Sequence, residues 1–170
     1  MADMRFQFSD KPLSFQEQVE KVLNNEGGFS DHKDDKGGMT NFGISQRSYP
    51  LVDIRNLTRE QAIEIYYRDY WVKYKVEMLP HHLQGAFFDM AVNHGGRRAV
   101  KILQESANNR NKKQIAVDGF IGKQTAKAVE RLEVDRLIAF RCLFFAKIVL
   151  NNETQMKFWV GWFRRCVEGI

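Results

Sequence analysis

Apolar residues recur at three- and four-residue steps through most of the chain, the period of a helix with one buried face. Phe15, Val19, Val22 and Leu23 form the first such stripe. Ser14 with Glu17 three residues on has the form of a capping box, which predicts a helix from Ser14 to about Asn25. From Phe29 to Ile44 the pattern lapses into polar and glycine positions, predicting loop with a small β-hairpin. Thr58 and Gln61 repeat the capping-box spacing, and the helix they open runs to about Val72 with Ile63, Tyr66, Tyr67, Tyr70 and Trp71 along it. Pro80 ends a connector, and His81-His82 after it reads as an exposed helix start. Leu83 to Asn93 is apolar nearly all round, as expected of a helix in the middle of a globular protein.

The second half continues in the same way. Gly95-Gly96 predicts a sharp turn into a helix from Arg97 to about Asn108, with Val100, Leu103 and Ala107 inward. A basic polar loop, Asn108 to Gln114, is followed by turn glycines at Gly119 and Gly122 and a helix from about Lys123. Arg131 to about Asn152 reads as the longest helix, a packing scaffold on Leu132, Leu137, Phe140, Leu143, Phe144 and Ile148, with Arg141 and Lys147 breaking its apolar run. In the closing helix Phe158, Trp162 and Cys166 are each four apart. Gly161 there costs about 1 kcal/mol of helix propensity, a cost expected to be offset by close packing. Arg164 and Arg165 read as a solvated basic end. The fold class expected is mainly α, a helical bundle with a small β-hairpin.

Composition narrows this little. At 170 residues the chain is long enough for one well-packed unit. Its likeliest internal boundary is the loop after Ala107, giving lobes 1–107 and 108–170 packed together. The net charge of +5 favours polyanions, either nucleic acid or a bacterial wall with anionic polymers. No DNA-binding motif is present, so no nucleic-acid partner is expected. Cys142 and Cys166 are expected as free, largely buried thiols. His32, His81, His82 and His94 lack metal-ligand spacing, so neither metal nor cofactor is expected. The N-terminus lacks the form of a signal peptide, and no stretch reaches the roughly 18 apolar residues of a membrane span. A monomer made in the cytoplasm, without membrane insertion, is the expectation.

Candidate chemistry concentrates between Asn24 and Ser45. Glu26 ends the first helical run and is followed at once by Gly27 and Gly28; Asp34 and Asp35 come eight and nine residues later, then Gly37-Gly38 and Thr40. Glycines let such a loop fold back tightly and bring Asp35 and Thr40 round to face Glu26. Two carboxyls and a hydroxyl at one cleft are the parts of acid-catalysed glycoside hydrolysis. The negative end of the helix disfavours ionisation of Glu26, which suits a general acid. The plain alternative is a helix terminus followed by a solvated turn. Tyr66 and Trp71 are core residues or line a sugar groove. Asp89 and Asn93 share a helix face, either as a structural polar pair or with Asn93 reaching an N-acetyl group or a water.

The run E-G-G-F followed by D-x-G-G-x-T-x-x-G-I-S resembles the signature of glycoside hydrolase family 108, lysozyme-like N-acetylmuramidases of phage and prophage endolysins. The cluster Tyr66-x-x-x-Tyr70-Trp71, the segment D-M-A-V-N-H-G and the closing F-x-x-G-W-x-x-R are similar to later parts of that family, though His94 departs from the small residue expected. I-L-Q with V-D-G-F-I-G-K-Q-T resembles a small peptidoglycan-binding helical motif. The resemblance implies an α+β lysozyme-like fold with the hairpin at the active site. It implies hydrolysis of the β-1,4 bond between N-acetylmuramic acid and N-acetylglucosamine in peptidoglycan glycan strands. Glu26 would be the acid, Asp35 the stabilising or water-orienting carboxylate with Asp34 in reserve, and Thr40 the group that places the water; Tyr66, Trp71 and Asn93 would contact substrate. Inversion is expected by analogy, and wall access would follow holin-type or other release. A lytic transglycosylase using Glu26 alone and a non-catalytic wall-binding protein are the alternatives.

Overall fold

The computed structural model describes residues 6–25 and 38–168. The chain divides after Asp69 into two compact units.

The first unit is built on helices α1 (Leu13–Asn25) and α2 (Arg59–Tyr66) and a two-stranded antiparallel hairpin, β1 (Thr40–Asn41) with β2 (Ile44–Ser45). Helix α1 starts one residue before the expected cap. The Gln16 amide N–H donates to the Pro12 carbonyl at 3.0 Å, which places Ser14 inside the first turn. Such a shift is ordinary, because turn-forming residues bracket a helix start without fixing its first residue. The predicted stripe is buried, with Phe15 and Val19 fully inaccessible and Val22 and Leu23 nearly so. Helix α2 opens on the capping box read from the sequence: Gln61 N–H donates to Thr58 Oγ1 at 3.2 Å and Thr58 N–H to Gln61 Oε1 at 2.9 Å. The helix then widens into a π-turn stretch, Tyr67–Val72. The expected extent holds, but its last six residues are not α.

The second unit holds α3 (His81–His94), α4 (Gly96–Arg110), α5 (Lys123–Ala128), α6 (Val134–Asn151) and α7 (Trp159–Val167). Helix α3 is central as predicted; Leu83, Phe87, Phe88, Met90 and Ala91 are all inaccessible, and the helix packs on α4 and α6. Gly95 turns the chain at φ 82°, and Gly96 is needed for a different reason. A Cβ there would lie 2.0–2.3 Å from the Tyr74 ring, so only glycine lets that ring pack against the start of α4. Val100, Leu103 and Ala107 face inward on α4. The segment after α4 is tied back by Asn108, which bonds both the N–H and the carbonyl of Ile115 at 2.8 Å.

Helix α6 departs from the sequence reading in register. Its buried line is Leu137, Ile138, Arg141, Phe145 and Val149, whereas Leu143 is 45% exposed. An almost wholly apolar helix has too weak a period to choose its own buried face. Arg141, read as a break, is instead fully buried. Gly161 of α7 is also corrected: a Cβ built there meets nothing within 4 Å, so no close packing explains it. Cys142 and Cys166 are free thiols, Cys166 fully buried beside Ile138 and Phe145. Among the described residues no helix is long and apolar enough to cross a membrane.

Candidate functional site

Glu26, Asp34 and Asp35 lie outside the described residues. Thr40, which follows them, begins β1 of the hairpin, and the way that hairpin is made explains much of the T-N-F-G-I-S run. Thr40 pairs with Ser45 and Asn41 with Ile44, leaving a two-residue turn, Phe42-Gly43, with φ of 50° and 73°. Two positive φ values mark the turn class whose twist suits a tight hairpin. Glycine takes such a φ freely, but Phe42 carries a cost of about 1–2 kcal/mol. Two contacts hold it there. Tyr66 OH donates to the Phe42 carbonyl at 2.8 Å, and Asn41, itself buried, donates from Nδ2 to the carbonyls of Ile54 (3.2 Å) and Leu57 (3.4 Å). Ile44 is buried beside them. Thr40 is therefore carried on a strut-braced turn with its side chain partly exposed; its Oγ1 donates to the Gly38 carbonyl over a long 3.5 Å.

The two rings expected at a sugar groove are core side chains of their own units. Tyr66 is 1% exposed, and its hydroxyl is spent on Phe42. Trp71, equally buried, packs edge-on against Phe88 at 5.5 Å and donates from Nε1 to Glu77 at 3.3 Å.

Asn93 is different. It is exposed at the end of α3 in the second unit, above a network of buried charge. Arg141 Nη2 lies 2.7 Å from Asp89 Oδ2, and Arg165 Nη2 lies 3.3 Å from Asp89 Oδ1. The first contact is close but off the hydrogen-bond direction, since neither Arg141 Nη2 nor Asp89 Oδ2 makes a well-directed bond. Charge attraction at short range carries that pair. With its amide set by its neighbours, Asn93 presents its oxygen to Arg165 Nη1 and Nε, 3.3 Å from each. Arg141 Nε–H donates to His94 Nε2 at 3.1 Å, which requires that nitrogen to be unprotonated. Burial, then the positive charge of Arg141, push the His94 pKa down to about 3 against the opposing pull of Asp89. The imidazole, edge-on to Phe144 and Phe145, is a neutral acceptor. Asp89 and Asn93 thus share a face but each pairs with arginine rather than with the other. Arg165, expected to be solvated, is a strut. Arg141 was the missed residue, and its signal was available: a charge in mid-run between Phe140 and Cys142 demands a partner if that face is buried.

A third arrangement accounts for the V-D-G-F-I-G-K-Q-T run. Gln104 of α4 holds the loop from below: its Nε2 donates to Asp118 Oδ1 (2.8 Å), the Phe120 carbonyl (3.0 Å) and Thr125 Oγ1 (3.2 Å), while its Oε1 accepts from Gly119 N–H (2.9 Å). Asp118 also accepts from Phe120 N–H at 2.9 Å, and these bonds hold its carboxyl below the usual range. Ile121 and Thr125 are buried as scaffold, whereas Phe120 is turned outward at 63% exposure, well beyond Val117 at 38%.

Two families match consecutive segments of the chain. Glycosyl hydrolase 108 matches residues 19–95, which contain the hairpin and α3. Predicted Peptidoglycan domain matches residues 98–167, which contain the Gln104-braced loop. No curated protein matches. A solved structure, "Structure of Brucella abortus SagA", is similar at 30% identity and a TM-score of 0.76, covering 92% of this chain and 91% of that one. Similarity at that level over nearly the whole length of both chains, with both segments in order, places the protein in a family: it belongs to the glycosyl hydrolase 108 family and is a glycoside hydrolase of the peptidoglycan-hydrolase kind that carries a peptidoglycan domain after its hydrolase segment.

Proposed function

We propose that the protein cleaves the β-1,4 bond between N-acetylmuramic acid and N-acetylglucosamine in peptidoglycan, as a monomeric endolysin reaching the wall by holin-type or other release. Glu26 protonates the leaving oxygen. Asp35, with Asp34 in reserve, stabilises the oxocarbenium-like centre or orients the water, and Thr40 places that water. Carboxyls roughly 6.5–9.5 Å apart leave room for it and give inversion. The single observation that carries this reading is the braced Phe42-Gly43 turn. A hairpin held at positive φ by a buried tyrosine and a buried asparagine is more than a solvated loop needs, and it sits directly after the acids within the hydrolase match. Backbone strain of this sort accumulates where a side chain must be aimed. In this reading Tyr66 supports the site through Phe42, Trp71 through the core of its unit, and Asn93 is the exposed group that meets substrate. In the same reading residues 1–107 are the catalytic lobe and 108–170 the wall-binding lobe.

The test is mass spectrometry of purified peptidoglycan digested by wild type and by Glu26→Gln. Reducing muramic-acid ends that vanish in the variant are the expected result. Anhydro-muramic ends would move the protein to the lytic transglycosylases, with Asp35→Asn then nearly harmless. Intact glycan from the wild type would overturn the assignment.

A further inference from the structure

The outward-turned Phe120 stands beside a cleft of about 290 Å³ in the second unit, bordered by Lys73, Tyr74, Lys75 and Arg97. Four features make it more than surface. Phe120 is 63% exposed, yet its backbone is among the most heavily tied in the unit, through Gln104, Asp118 and Thr125. A large apolar ring held rigidly in water carries no folding benefit that explains the bracing. The Arg97 guanidinium lies 5.2 Å from the centre of that ring, and Gly119, at φ 81°, makes room for the arginine stem; a Cβ there would come within 2.7 Å of Arg97 Cγ. Lys73 sits 5.8 Å over the Tyr74 ring, and Tyr74 is in turn fixed against Gly96. Finally, Lys73, Lys75 and Arg97 make no salt bridge among the described residues, although the Asp118 carboxylate, hydrogen-bonded to Gln104 and Phe120, adds its field at Arg97.

An exposed ring and a half-buried one beside three cations that form no salt bridge among the described residues suit one kind of ligand. The apolar face of a sugar packs on an aromatic ring, and a carboxylate on that sugar pairs with guanidinium or ammonium. We propose that Phe120, Tyr74, Arg97, Lys73 and Lys75 form a glycan subsite for a sugar bearing a free carboxylate, the N-acetylmuramic acid unit of glycan from which the stem peptide has been removed. This rests on the peptidoglycan reading above and extends it to a named binding surface. Of the five subsite residues only Phe120 lies within residues 98–167, a segment with fourteen Lys and Arg against six Asp and Glu, 14 − 6 = +8; Lys73, Lys75 and Arg97 precede it.

The experiment uses full-length Glu26→Gln protein, so that glycan persists, and follows amide NMR shifts on titration with an N-acetylglucosamine–N-acetylmuramic acid tetrasaccharide, with chitotetraose and with polyglutamate. The acidic glycan is expected to bind at least about tenfold more tightly than chitotetraose, with shifts centred on residues 118–122. Adding Phe120→Ala weakens both glycans about five- to tenfold with little change in polyglutamate binding. Adding Arg97→Gln narrows the preference for the acidic glycan to within about threefold. Unchanged glycan affinity in Phe120→Ala overturns the subsite, and so does an equal loss for polyglutamate, which would leave only a patch of charge. Intact sacculi after wild-type digestion count against the muramidase reading alone, because the titration still decides the subsite.

Discussion

Replacing Asp89 by Asn keeps the shape of the side chain and removes the carboxylate that, among the described residues, pairs with Arg141. The Arg141 side chain is 2% exposed and its Nη2 lies 2.7 Å from Asp89 Oδ2, so water cannot take over the lost charge. At an effective dielectric of about 20, Coulomb attraction at that distance is about 6 kcal/mol gross. Removing one partner of a buried pair typically costs about 3–5 kcal/mol, and Asn returns a little through its dipole. A net loss of about 3–4 kcal/mol is expected. For a chain of this size that corresponds to a Tm lowered by roughly 6–16 °C. The assay is tryptophan fluorescence during thermal or urea unfolding. Trp71, Trp159 and Trp162 all lie in the second unit, so the signal reports that unit alone. Arg165→Gln is the comparison variant, because it breaks the longer pair with Asp89, at 3.3 Å, and its more exposed partner makes a smaller loss expected than for Asp89→Asn. The reasoning is refuted if Asp89→Asn costs no more than Arg165→Gln, since Arg141 would then not depend on Asp89.

Other expectations concern the same helices. His94 is held neutral in the folded protein, with its pKa near 3 against about 6.5 unfolded, by burial and by Arg141, Arg165 and Arg98 against Asp89. A depressed histidine pKa means that the unfolded chain binds the extra proton first. The contribution is therefore complete above about pH 6.5 and lost as pH falls toward 3, at up to about 1.4 kcal/mol per pH unit. Between pH 7 and pH 5 the urea midpoint of the wild type is expected to fall by the equivalent of about 2 kcal/mol more than that of His94→Gln, and parallel slopes would contradict it. Gly161→Ala, at an exposed helix position with open space around the new Cβ, is expected to stabilise by about 0.5–1 kcal/mol. A lower Tm in that variant would mean that α7 packs more closely than the structure describes.

The hairpin shows how far sequence reading carries. That Thr40–Ser45 turns back on itself follows from Gly43 and its polar neighbours, because glycine's freedom at positive φ is local. That Phe42 shares the strained conformation does not follow, because its braces are distant: Tyr66, 24 residues away, and the carbonyls of Ile54 and Leu57 that hold Asn41, 13 and 16 residues away from it. The α2 cap was legible for the same reason of locality, since both of its bonds span three residues. The predicted helices and the central place of α3 were likewise set by short-range period and composition. The glycosidase motif could be recognised in the letters alone, and its acids are still known only from them, because Glu26, Asp34 and Asp35 lie outside the described residues.

What tertiary structure decided was the pairing of things far apart. Helix α6 is apolar on most sides, so its period could not say which side is buried; contact with α3, α4 and α7 chose Arg141 and exposed Leu143. The motif letters Gln104, Asp118, Gly119 and Thr125 are scaffold, and Phe120, a position the motif leaves open, is at the surface. Local sequence determines where the backbone can turn and coil, since those energies are summed over neighbours. Which charges end up buried together, and which ring is left in water, depends on helices meeting across the fold, and only the packed structure holds that information.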